Sequence, residues 1–80
     1  MYWPVLEKEE LMEFSYNKLW KLLIDKNMMK KDLMDMTHIT SSTIAKMGKN
    51  KPVSLEVLGR ICIALNCDIG DVVSVIRSKQ

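Results

Sequence analysis

The segment MTHITSSTIAKMGKN, residues 36–50, carries Thr40, Ser41, Ser42 and Thr43 in a row, then Lys46 and Lys49, and no acid. Hydroxyls, the free N–H groups of a helix start and its positive dipole end all suit phosphate oxygens and base edges. With Ile44 and Met47 turned to a core, a step of 100° per residue sends Ser42, Ala45, Lys46 and Lys49 outward, with Ser41 at the edge. That face is small, neutral or basic. Side chains this small let a helix backbone approach the floor of the DNA major groove. A surface helix needing only solubility would mix both signs of charge. Thr40 has the simpler role of capping the helix.

Other chemistries find little support. The chain holds one histidine, His38, and two cysteines, Cys62 and Cys67. Together these fall short of the ligands that a zinc site needs. There is no Gly-rich phosphate loop and no Cys–His arrangement at helical spacing, so neither an enzyme nor a bound cofactor, metal or small-molecule ligand is expected. Two thiols in so small a chain fit a reduced, cytoplasmic protein rather than a disulfide scaffold. Cys62 falls on an apolar stripe, as a packed residue would.

The elements that position the hydroxyl–lysine face are read from periodicity. Residues 15–27 predict an amphipathic helix capped by Ser15, with Tyr16, Leu19, Trp20, Leu23 and Ile24 on one face. Residues 31–37 predict a second, with Leu33 and Met36 inward. A third runs from Ser41 to about Gly48, which can end it. Pro52 marks a connection. Ser54 then caps a fourth helix, with Leu55, Leu58, Ile61, Cys62 and Leu65 on one stripe and Asn66 closing it. Asp68 and Asp71 resemble a capping box for a fifth segment, with Ile69, Val72 and Ile76 continuing the core. The run VVSVI would also suit a strand, but needs a partner strand. The expected architecture is thus all-α, five short helices in one compact domain.

With 80 residues, 48% of them hydrophobic, the chain has room for one small domain. No apolar run reaches the roughly 20 residues needed to span a bilayer. The net charge of +2 hides an asymmetry. Residues 15–67 hold eight lysines and Arg60 against four acids, whereas residues 1–14 hold four glutamates against Lys8. A basic body suggests a polyanionic partner. The stretch 1–14, acidic and carrying Tyr2, Trp3, Leu6 and Phe14, is read as a separate arm, helical over 5–14 and docked on its own domain or a partner, or else as an appended remnant. Residues 15–77 form the domain and 78–80 a tail.

From LWKLLIDKN through KDLMDMTHITSSTIAKM and KNKPVSLEVLGRICIALNCD to IGDVV, the sequence resembles the lambda-repressor-like helix-turn-helix domain of phage Cro proteins, phage repressors and small bacterial regulators. The resemblance spans about four fifths of the chain. It implies a five-helix DNA-binding domain whose second and third helices read double-stranded DNA, working as a homodimer on paired half-sites. By position, the recognition helix is residues 41–47, so Ser41, Ser42, Thr43, Ala45 and Lys46 face the bases. Lys30, Lys31, Lys49, Asn50 and Lys51 meet the phosphate backbone. The family often places Gln at the start of both helices, where this chain has Lys31 and Ser41, so the bidentate amide that reads adenine is missing. His38 occupies the turn position where the family has Gly with positive φ. The competing reading is a protein-interaction module on the same fold, such as an antitoxin-like or antirepressor-like binder, supported by the acidic, aromatic arm.

Overall fold

The computed structural model describes residues 12–77. In chain order these form β1 (Met12–Ser15), α1 (Asn17–Asp25), α2 (Lys30–Thr37), α3 (Ser41–Gly48), α4 (Leu55–Leu65), a 3-10 turn (Ile69–Asp71) and β2 (Ser74–Arg77). The body is helical, with four α-helices among the described residues instead of the expected five. The fifth segment is a single 3-10 turn followed by a strand. β2 finds its partner within the chain: it pairs antiparallel with β1, Phe14 opposite Val75 and Ser15 opposite Ser74. The helix expected over residues 5–14 is therefore a strand from Met12 onward, and β1 crosses the boundary placed after residue 14. The expectations for residues 1–11 and 78–80 fall outside the described residues.

One core joins the helices: Tyr16, Leu19, Leu23, Leu33, Ile39, Ile44, Met47, Leu58, Ile61, Cys62, Leu65 and Val72 are all buried. Each helix contributes a narrower stripe than its periodicity suggests. Ile24, Met36, Leu55 and Ile76, all expected inside, are exposed. In α2 the inward partner of Leu33 is Thr37, one full turn on. A threonine can be buried there because its hydroxyl donates to the Leu33 carbonyl at 2.7 Å. Burial pushes the Cys62 thiol up, and nearby Cys67, Asp68 and Asp71 push the same way, so Cys62 stays protonated as a packing residue.

Caps explain where the helices begin. Thr40 accepts from the Thr43 N–H at 3.3 Å and Ser54 from the Val57 N–H at 3.1 Å. The Asp68–Asp71 capping box forms, with the Asp68 N–H donating to Asp71 at 3.0 Å. Ser15 is not a helix cap. It ends β1 with its Oγ accepting from the Asn17 N–H at 3.3 Å, and α1 starts one residue later than expected, with Tyr16 at the cap position.

The helix ends share one device. Asn27, His38, Asn50 and Asn66 have φ between 56° and 60°, and one of them follows each α-helix. None is Gly, and Gly48, expected to end α3, is its last helical residue, with Asn50 taking the left-handed position. Asn and His tolerate this region better than other residues with a Cβ. Behind three of them, an N–H bonds back five residues: Met28 to Leu23 at 2.8 Å, Lys51 to Lys46 at 2.9 Å, Cys67 to Cys62 at 3.0 Å. This is the Schellman closure.

His38, at φ 58° and ψ 32°, is strained as the turn position implies. His38→Gly should relieve about 1 kcal/mol, partly offset by a freer unfolded chain, and raise the melting temperature by a few degrees. A fall in thermal unfolding would show that the imidazole makes a contact worth more than the strain.

Candidate nucleic-acid interface

The interface is built on α2, its turn and α3. His38 reverses the chain, buried Ile39 anchors the turn, and Thr40 caps α3. Buried Ile44 and Met47 fix the rotation of α3 about its axis. Ser41, Ser42, Ala45, Lys46 and Lys49 are then exposed, as the spacing predicts. Ser42, Ala45, Lys46 and Lys49 come together with Lys51 and Pro52 in one shallow groove. Pro52, which the sequence places only in a connection, is the further lining residue.

The remaining candidates sit around this groove. Thr43 is half-buried and its hydroxyl lies 3.1 Å from that of Thr40, which is also 3.1 Å from the Ser42 hydroxyl. The three hydroxyls form one network at the start of α3, so Thr43 works mainly as part of the cap. Asn50 is exposed in the left-handed turn beside the groove. Lys30 and Lys31 open α2 and are exposed, outside the groove. The Lys30 ammonium stands 4.4 Å from the centre of the Trp20 ring.

Electrostatically the face is unopposed. Among the described residues the one ion pair is Arg60–Glu56 at 2.8 Å, on α4. The first turn of α3 has no acid, and its last turn has Lys46. Among the described residues no acid pairs with the three groove lysines, and the positive end of the α3 dipole adds to their charge.

Tyr16 holds the far wall of the groove. It is almost wholly buried, and its hydroxyl donates to the Lys51 carbonyl at 2.7 Å across 35 residues. The same residue's N–H is tied to the Lys46 carbonyl. The Lys51 backbone is thus fixed on both sides, and with it the course of residues 49–52. Sequence reading placed Tyr16 on a core face without assigning its hydroxyl a partner. The available signal was that a buried tyrosine hydroxyl nearly always has one.

Burial pushes the Tyr16 phenol up, with a backbone interaction at Val53 pulling partly back. The neutral form is thus favoured by folding. Its contribution is present below the ordinary tyrosine pKa of about 10 and is lost as pH rises beyond it, because the unfolded chain ionises first. Tyr16→Phe should lower stability by about 1–2 kcal/mol at neutral pH by leaving the Lys51 carbonyl unpaired. It should also flatten the loss of stability above pH ~10. Urea titrations at neutral and alkaline pH measure both, and equal midpoints for the two proteins at neutral pH would show the bond to be dispensable.

Residues 18–78 match the model of the Cro/C1-type HTH DNA-binding domain. The crystal structure of the transcriptional regulator VanUg is similar at 47% sequence identity, with a TM-score of 0.83 over 94% of this chain and 100% of that one. No curated protein sequence matches.

Proposed function

Because the chain belongs to the Cro/C1-type HTH DNA-binding domain family, we propose that it is a sequence-specific transcriptional regulator that lays α3 in the major groove. The observation that carries the reading is the acid-free outer face of α3, held in register by Ile44 and Met47 and continuous with the Lys51–Pro52 wall. Ser41, Ser42, Ala45 and Lys46 reach base edges. Lys49, Asn50 and Lys51 follow the phosphates on one side, and Lys30 and Lys31 on the other. VanUg, named as a transcriptional regulator, supports the same role. No helix among the described residues is long and apolar enough to cross a membrane.

In this reading the protein acts in the cytoplasm as a homodimer. Because β1 belongs to the folded domain, the arm ahead of it is confined to the residues before Met12. Two copies would place two α3 helices on half-sites about one helical turn apart, roughly 34 Å. With Lys31 and Ser41 at the helix starts, adenine recognition by a glutamine amide is replaced by other contacts, so the operator will differ from those of family members that carry the amides.

Selection of bound sequences from random double-stranded DNA tests this directly. A palindrome with half-sites one turn apart is expected. Lys46→Ala and Lys31→Ala should each weaken binding to the selected site, and Lys31→Ala should do so with little change in base preference. Normal binding by both variants would show that the reading face is elsewhere.

A further inference from the structure

Among the described residues, Lys30 is held by an aromatic ring and not by an acid. Its ammonium is 4.4 Å from the centre of the Trp20 ring, inside the roughly 6 Å range of a cation–π contact. The nearest acid in sequence, Asp32, accepts from the Met29 N–H at 2.9 Å and is not paired with it. Trp20 is itself half-buried and packed against the core, so it is a firm platform. The α1–α2 corner that brings ring and lysine together is closed by left-handed Asn27 and by the Met28 N–H on the Leu23 carbonyl.

We infer that Trp20 is a positioning residue for DNA binding: it orients Lys30 beside Lys31 as a phosphate-directed pair at the start of α2. An acid in its place would orient Lys30 equally well but cancel its charge. A ring restrains the side chain while leaving the charge intact. An ammonium has three donors, and those turned away from the ring stay free for phosphate oxygens. The chain entropy of ordering a lysine is met before the duplex arrives. This inference rests on the reading of Lys30 as a phosphate contact given above.

The test needs no operator, because non-specific binding is carried by phosphate contacts. The full chain is titrated with mixed-sequence duplex DNA at several salt concentrations, as wild type, Trp20→Leu, Trp20→Phe, Lys30→Ala and the Trp20→Leu/Lys30→Ala double variant. Trp20→Leu should weaken binding roughly two- to fivefold at low salt, a share of the cost of immobilising one long side chain on binding. Trp20→Phe, which keeps a ring, should recover most of it. The effect of Trp20→Leu should vanish once Lys30→Ala is present, whereas a merely structural role would persist in that background. In the free protein, the Lys30 ε-methylene protons should resonate upfield of the other lysines by NMR and lose that shift in Trp20→Leu. Equal costs of Trp20→Leu with and without Lys30→Ala, or no cost at all while wild type binds, would overturn the inference alone. Absence of salt-dependent duplex binding by the wild type would overturn the DNA-binding reading and the inference together.

Discussion

Met47→Ala should destabilise the domain by about 2–5 kcal/mol, the range for truncating a fully buried long aliphatic side chain. Met47 is 0% exposed and, with Ile44, is one of two side chains that seat α3 on the core. Domains of this size hold only about 5–15 kcal/mol in total, so the variant should unfold at markedly lower urea and temperature. DNA binding should fall with it, because the outward face of α3 has its orientation only while the inward anchors are filled. Met47→Leu keeps the volume and should cost less than about 1.5 kcal/mol, with binding largely retained. An unchanged urea midpoint for Met47→Ala would mean that α3 is not packed as described.

The same pair of anchors explains why the outward face of α3 is legible from sequence. Once Ile44 and Met47 are placed inward, helical geometry settles the direction of Ser42, Ala45, Lys46 and Lys49 without any knowledge of the rest of the fold. Local capping chemistry was readable for the same reason: Thr40, Ser54, Asn66 and the Asp68–Asp71 pair act on neighbours within a few residues. What was not legible depends on distant partners. The strand over residues 74–77 looked orphaned because its partner, residues 12–15, lies at the opposite end of the described chain. The Tyr16–Lys51 bond and the Trp20–Lys30 contact likewise join segments that only the tertiary fold brings together. Periodicity also overstates the width of a buried stripe. Ile24 and Leu55 have helical phase for burial, yet short helices crossing a small core cover only their central rows, and both remain exposed.

The left-handed residues show a middle case. The chain has three glycines, none at positive φ, and ends its helices on asparagine and histidine instead. Asn66 was readable as a terminator, and His38 as a strained turn residue. Asn27 and Asn50 carry the same signal, since Asn is the commonest substitute for Gly in this conformation. By position in the sequence Asn50 reads only as a phosphate contact. Its backbone role is what brings Lys51 N–H back onto Lys46 and turns the chain toward the Tyr16 hydroxyl.

The second large effect follows from the groove. Replacing Lys46, Lys49 and Lys51 together by alanine removes the lysines that line the groove beside Ser42 and Ala45. Lys49 and Lys51, the two phosphate-directed lysines of this set, contribute about 0.9 each to the slope of log affinity against log salt, so the slope should shrink by nearly 2. Affinity should accordingly drop on the order of 10²-fold at ~0.1 M salt, with the phosphate share of the difference closing toward 1 M and the loss of the Lys46 base contact remaining. Stability should not suffer. All three side chains are exposed and, among the described residues, unpaired with acids, and like charges gathered on one surface repel, so the melting temperature should hold or rise slightly. This separates the variant from Met47→Ala, where binding is lost because the fold is lost. A triple variant that binds duplex DNA with wild-type affinity and wild-type salt slope would remove α3 and its following loop from the interface. A loss of affinity that stays constant with salt would mean that the lysines act through packing or shape and not by displacing counterions from the phosphates.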